Sequence, residues 1–504
     1  MLSQPQAAAV RIHFVTTGVL LRRLMRDPTL AGVSHVVVDE VHERDLDSDF
    51  LLTLLRRLLR SAPQSAPQWA SQWAQQSASK LALNPQRKGQ PYGQPASGPP
   101  QVILMSATLN TELFAAYFAQ GEARGAPIPV LSISGHMFPV RELFLEDVVA
   151  AGHVSLHGLP LVRSQAGSSR LSLRSRGVFE SRTLLALASP VSQAHGSHPM
   201  DASTVADTLR VEQGLEAARV APEAVRLLRH HCQVDQEVPN ALAARVVDWL
   251  IRADPLASTS SSGSSSGRLR EGAKGTILVF LPGTADITAV GAEVEALLAA
   301  RPADHKVLVL PLHGSLATAD QHRVFAPALP GQRKVVLATN IAESSITIDD
   351  AVYVVDSGKV KERRFAHGSG VSSLRTQWCS RASARQRLGR AGRVLPGLCV
   401  RLFTRPRLAA LADFAVPEMR RLPLEELCLT VKGLGSAFDG LSIAAALATT
   451  LEPPDGGAVA AAVAALEKLG ALGPGERLTR LGQRLAKLPL DPRTGNAPEA
   501  ISLD

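Results

Sequence analysis

Six short runs of aliphatic and β-branched residues punctuate the chain: Val33 to Val38, Gln101 to Met105, Thr276 to Leu281, Lys306 to Leu310, Lys334 to Ala338 and Ala351 to Val355. None alternates strictly with polar residues, so each reads as a strand covered on both faces, as in a parallel sheet between helices. Segments with apolar residues at helical spacing intervene, among them Ser48 to Arg60 and Asp286 to Ala300. Strands alternating with helices predict an α/β parallel-sheet architecture, and the long break after the second strand divides it into two sheets. From about Pro417 the pattern turns amphipathic. Pro423 to Leu429 and Ala458 to Leu469 read as helices, followed by a Gly-Pro-Gly turn and Arg477 to Leu481. That predicts a small, mainly helical module with a short hairpin at its edge.

Three stretches interrupt this pattern. Ser61 to Pro100 is rich in Gln, Ser, Pro and Ala and too poor in Leu, Ile and Val to bury a face, so it reads as a disordered insertion. His153 to His231 has no sustained periodicity, and Ser258 to Gly267 is nearly pure Ser and Gly, a flexible loop. The chain then divides into 1–135, 136–408 (with insertions 153–231 and 256–274) and 409–504. At 504 residues and 45% hydrophobic composition it can build several cores. No apolar stretch reaches the ~18 residues that cross a bilayer, which excludes a helical membrane span and leaves no expectation of a membrane partner. The start, Met1 to Pro5, lacks a charged head before an apolar run, so no secretory signal is expected. Cys232, Cys379, Cys399 and Cys428 are too scattered for a zinc site or a disulfide framework. A reducing compartment, cytoplasmic or nuclear, is the expectation.

Charge adds a partner class. The 54 cations exceed the 45 acids by +9, and only ten of the cations are Lys. From Lys359 to Arg407 there are thirteen basic residues against one acid, Glu362, a local +12. A solvated basic face is the ordinary meaning of such a run, but the glycines within Gln386-Arg387-Leu388-Gly389-Arg390-Ala391-Gly392-Arg393 are costly in a surface helix and suggest close approach to a ligand. Arg390 and Arg393 would share a face if that segment were helical. The first strand ends in Asp39-Glu40-Val41-His42. Acids at the carboxyl end of a parallel strand stand where open α/β sheets place their ligand crevice, and without a cation they are costly to desolvate. Taken alone, the tetrapeptide fits a metal-phosphate site or an exposed loop with helix-capping acids equally well. Paired arginines elsewhere favour the first, since guanidinium groups aimed at a transferring phosphoryl group speed its transfer greatly.

With these residues in hand the sequence resembles the DEAH/RNA-helicase-A family of superfamily 2 helicases. Asp39 to Arg44, Ser106-Ala107-Thr108, Ala338 to Asp349 and Gln386 to Arg393 look like its motifs II, III, V and VI. Thr16 to Arg22 resembles motif Ib, and Phe280 to Gly283 with Leu312 to Leu316 matches the motif IV region. The resemblance implies two RecA-like parallel-sheet lobes followed by a winged-helix module and the start of a helical bundle, with ATP and Mg²⁺ as cofactors and RNA as partner. It implies that Asp39 holds Mg²⁺ through water and that Glu40 orients and deprotonates the attacking water. Gln386, Arg390 and Arg393 would reach the γ-phosphate and that water across a cleft between the lobes. Thr347 and Asp349 would touch the nucleotide, Phe325 would stack on its base, and His42, Ser106 and Thr108 would relay nucleotide state. Thr17, Arg22, Gly314, Ser315, Thr339 and Asn340 would grip consecutive phosphates of a single strand. Helix capping is the competing reading of Thr17 and Ser315. Gly358 to Thr376 matches the family's strand-separating hairpin.

One family feature has no counterpart. No G-x-x-x-x-G-K-[ST] string occurs in the chain, and Gly272-Ala273-Lys274-Gly275-Thr276 has the right residue types in the wrong order. The sequence therefore reads as a helicase truncated at both ends that would hydrolyse ATP poorly on its own. A non-catalytic RNA clamp and a DNA helicase are the competing functions.

Overall fold

A computed structural model describes residues 12–61, 99–107, 111–119, 128–154, 240–256, 275–300, 306–366, 371–487 and 492, less positions 134, 136, 152, 345 and 439. Thr108 and almost all of the three insertions lie outside them. Contacts divide the chain into two compact units. One comprises Met1–Leu131, Arg364–Ser373 and Val416–Asp504; the other comprises Ser132–Arg363 and Leu374–Ala415.

In the first unit β1 (His35–Val38) and β2 (Gln101–Leu104) pair in parallel, with Val38 opposite Leu104. Val36 and Val38 pack down onto Leu21 and Leu24 of the helix Thr17–Arg26 and onto Phe50, Leu51 and Leu55 of the helix Leu46–Ser61. The same core takes in Leu427 and Val431 of the helix Glu425–Gly433 and Val459 and Leu466 of the helix Gly456–Lys468. The expectation of two-sided burial fails for this pair of strands. Val37, Ile103 and Met105 alternate onto the other face and are exposed at 52%, 45% and 42%. Sequence from the module's edge behaves as read: β11 (Leu472–Gly473) and β12 (Arg477–Leu478) pair antiparallel around a turn in which Gly475 adopts φ +69°.

The second unit holds β3 (Val140–Leu143), β4 (Thr276–Phe280), β5 (Lys306–Leu312), β6 (Gln332–Ala338), β7 (Ala351–Asp356) and β10 (Gly397–Arg401) in one all-parallel sheet of order β3-β10-β7-β4-β6-β5. Here two-sided burial holds, because adjacent residues feed separate cores. Ile277, Val279, Val335 and Leu337 face the helices Asn240–Ala253 and Thr284–Ala299, whereas Leu278, Phe280, Val336 and Val354 face Val324, Ile348 and Ala391. β8 (Lys359–Ala366) and β9 (Val371–Trp378) form their own two-stranded sheet, as the hairpin reading requires. Within the first unit, Phe365 N–H donates to the Arg421 carbonyl at 2.9 Å.

Candidate functional site

At the carboxyl end of β1 the chain turns sharply. Asp39 is exposed, its Oδ1 accepting the Glu40 N–H at 2.8 Å, and Glu40 itself adopts φ +53°. A left-handed glutamate is a strained backbone held by its surroundings, the kind of cost that clusters at functional turns. The surroundings are visible. His42 Nδ1 lies 3.3 Å from Glu40 Oε2 and 3.2 Å from Ser106 Oγ, so one imidazole ties the acid motif to the end of β2. Val41 N–H donates to the Met105 carbonyl at 3.2 Å, fixing the same junction through the backbone. Behind the turn, Arg44 grips Asp49 through Nε at 2.8 Å and Glu452 through Nη1 at 2.6 Å. Burial raises the Asp49 carboxyl above its ordinary value despite that guanidinium.

Thr17 and Arg22 stand on the helix Thr17–Arg26 of the same unit. The helix-capping reading of Thr17 fails: Thr16 is the cap residue, and the Thr17 hydroxyl lies 3.4 Å from Ser48 Oγ. Arg22 is exposed and lines a cavity with Asp47, Glu426 and Lys487.

In the second unit the candidates separate to opposite edges of the sheet. Gly314 and Ser315 follow the carboxyl end of β5, and Thr339 and Asn340 follow that of β6. All but the half-buried Thr339 are exposed, as phosphate contacts must be. Ser315 caps no helix; its hydroxyl lies 2.8 Å from His313 Nδ1. Asp349 instead precedes the amino end of β7, Phe325 precedes that of β6, and Arg390 and Arg393 precede that of β10. The connection 339–350 therefore crosses the sheet from one edge to the other, with a single 3-10 turn at Asn340–Ala342 among its described residues.

Arginines pin that crossing. Arg387 is 1% exposed and donates through Nε to Glu343 Oε2 at 3.0 Å, and through Nη1 to Asp356 Oδ1 at 2.9 Å and the Lys359 carbonyl at 3.2 Å. Asp356, fully buried, also receives Arg401 Nη1 at 2.9 Å, and Arg401 Nε reaches Glu142 at 2.6 Å. Arg390 donates to the Glu343 carbonyl and, at 3.3 Å, to that of Ile346. Arg393 is exposed and donates to Thr347 Oγ1 at 2.7 Å. Gln386 is half-buried on the helix Arg381–Gly389.

Three expectations are corrected here. Arg390 and Arg393 do not share a helical face, because the helix ends at Gly389 and Arg393 lies in the turn beyond it. The glycines serve the protein's own packing: a Cβ on Gly392 would meet the Phe138 carbonyl at 2.6 Å, and one on Gly389 the Met137 Cε at 3.2 Å. The basic run is likewise not a free basic face. Lys361 pairs with Asp286, Arg381 with Asp413, and Arg405 with Glu146 and Asp147. Glu343, Asp356, Arg387 and Arg401 form a network that motif reading passed over; the acids' placement beside a basic run was its only trace in the sequence.

No group of three or more His, Cys, Asp or Glu among the described residues forms a metal cage. Asp39 nevertheless fits Mg²⁺, which keeps most of its waters and asks for one or two carboxylates with open oxygens.

The profile described as "Helicase conserved C-terminal domain" matches residues 266–395, and "Helicase associated domain (HA2), winged-helix" matches 462–490. An Escherichia coli structure titled "Crystal structure of E. coli DExH-box NTPase HrpB" superposes with a TM-score of 0.57 at 25% identity, over 95% of this chain and 40% of that one. Fold and motifs together define a superfamily 2 helicase core. Human DHX57 is 37% identical over 503 residues, covering 98% of this chain and 32% of DHX57. "DExH-box ATP-dependent RNA helicase DExH1" of Arabidopsis thaliana is 35% identical, over 98% and 41%, and "ATP-dependent DNA/RNA helicase DHX36" of Homo sapiens 33%, over 96% and 39%. In sequence the chain is similar to these DEAH/DExH-box helicases, and it spans 32% to 41% of the length of these three relatives.

Proposed function

We propose that this chain is the part of an ATP-dependent RNA helicase that handles the attacking water, the γ-phosphate and a single strand of RNA. The observation that carries the reading is the His42 imidazole set between Glu40 and Ser106, because it joins two motifs 64 residues apart at a pair of acids, exposed Asp39 and half-buried Glu40, that ends a parallel strand. Relatives named as ATP-dependent RNA helicases support the class of reaction. Asp39 would hold Mg²⁺, whose role is to neutralise charge on the phosphates. Glu40 accepts a proton from the attacking water, which requires hydrogen-bond reach. His42 keeps the Glu40 carboxylate oriented and Ser106 keeps the ring in place. Arg393 leaves Thr347 for the phosphate, while Arg390, bonded to two carbonyls, holds the segment that carries Thr347. Thr17, Arg22, Gly314, Ser315, Thr339 and Asn340 contact phosphates, giving strand binding without base readout.

The chain lacks a G-x-x-x-x-G-K-[ST] string, and with it the backbone cradle and Lys for the β- and γ-phosphates. The 504 residues by themselves therefore bind single-stranded RNA and hydrolyse ATP poorly. The test is phosphate release from ATP by the purified chain with and without single-stranded RNA. Slow release under both conditions, together with salt-sensitive RNA binding, agrees with the reading. RNA-stimulated turnover at ordinary helicase rates contradicts the inactivity, and failure to bind RNA contradicts the helicase role. The relative named as a DNA/RNA helicase makes a DNA strand the comparison ligand, since 2′-hydroxyl contacts distinguish the two.

A further inference from the structure

We propose that Lys334 is a positioning residue for nucleotide recognition: its buried ammonium fixes the turn that presents Phe325 in register with the segment carrying Thr347 and Asp349. This rests on the reading of Phe325 as the contact to the base.

Lys334 is the third residue of β6 and is 1% exposed. Lysine is almost never buried so completely unless paired. An ammonium has three donors and no acceptor, and the surroundings offer three acceptors. Nζ donates to the Val324 carbonyl at 2.9 Å and the Ala326 carbonyl at 3.0 Å, and pairs with Asp350 Oδ1 at 3.1 Å. The two carbonyls are those on either side of Phe325. Its backbone is thus held from both sides while the residue stays 47% exposed, its ring 5.6 Å from the His322 ring. An exposed aromatic ring on a pinned backbone is a stacking platform prepared before any ligand arrives, and every base offers a π-face to it.

The third acceptor gives the arrangement its meaning. Asp350 directly follows Asp349 and precedes β7, so one ammonium ties the Phe325 turn to the end of the crossing segment at the same edge of the sheet. A Met of similar volume would fill the site without the desolvation cost of a charge. What the charge adds is a fixed relation between two loops that have no backbone hydrogen bond to each other among the described residues.

The experiment is competition for a ribose-labelled fluorescent ATP bound to the full 504-residue chain, with ATP and base-free ribose 5-triphosphate as competitors. In the wild type ATP competes about tenfold better than the base-free compound, the scale of one base–aromatic stack. K334M brings that ratio close to one and leaves the affinity of the base-free competitor unchanged. D350A keeps both carbonyl bonds and lowers the ratio about threefold; Asp350 is only partly buried, so this variant carries the test if K334M does not fold. The proposal is overturned if both folded variants keep the wild-type ratio, or if they weaken the two competitors equally, as a general loss of structure would. A wild-type preference that survives F325A defeats the assignment of Phe325 instead. Absence of any wild-type preference, or of any nucleotide binding, defeats that assignment and the proposal together.

Discussion

Two ends of this chain's chemistry are built in opposite ways. In the first unit Asp39 stands exposed and Glu40 half-buried at a strained turn, where one imidazole touches Glu40 and one hydroxyl touches that imidazole. In the second unit the arginines Arg387 and Arg390 are buried and their donors are spent on Glu343, Asp356 and backbone carbonyls. Only Arg393 of that trio is exposed. Under the proposed function, the difference separates groups open to a ligand from groups that hold the protein's own loops in place. A motif written as one string of letters mixes both kinds, and burial sorts them.

The largest effect that sharpens this comparison is at Asp356. D356A leaves Arg387 and Arg401 as buried guanidinium groups without their shared carboxylate, and breaking a buried pair in this way costs about 3–5 kcal/mol. Denaturant unfolding reads that loss. A stability change near zero would mean that the network is not the anchor of the second unit. At the open end the expectation reverses. E40Q in a polypeptide that supplies a phosphate-binding loop lowers hydrolysis by at least about 10²-fold, the scale of a lost general base, and leaves thermal stability unchanged. A large stability loss with intact turnover would break the division. The smallest effect is expected at Arg22, exposed on its helix. R22A weakens binding of single-stranded RNA by a few-fold, equally across sequences, and lowers the slope of log affinity against log salt by about 0.7, one phosphate contact. A sequence-dependent loss would make Arg22 a base reader.

How much of this was legible follows the same physics. The strands β4, β6 and β7 were plain in the sequence because both their faces feed apolar cores. β3 and β10 were not, because Arg141, Glu142 and Arg401 interrupt the apolar pattern, and Glu142 and Arg401 neutralise each other across the two strands. The acid turn could be placed from its strand, but the φ of Glu40 and the imidazole between two motifs could not, since neither leaves a periodic trace. Glycines 389 and 392 suggest close approach to a ligand, whereas the Met137 side chain and the Phe138 carbonyl fill that room. Lys334 looked like an edge residue of an apolar run; only the three acceptors around its ammonium give it a role.

The most direct measurement is the ratio of ATP to ADP affinity, with Mg²⁺ present, in the wild-type chain and in D39N and R393A. If the exposed acid serves the metal and the exposed arginine serves the γ-phosphate of one nucleotide, R393A lowers ATP binding several-fold and spares ADP. D39N then weakens both nucleotides and removes their dependence on Mg²⁺. An R393A chain that keeps the wild-type preference for ATP, with D39N still responding fully to Mg²⁺, would contradict the account.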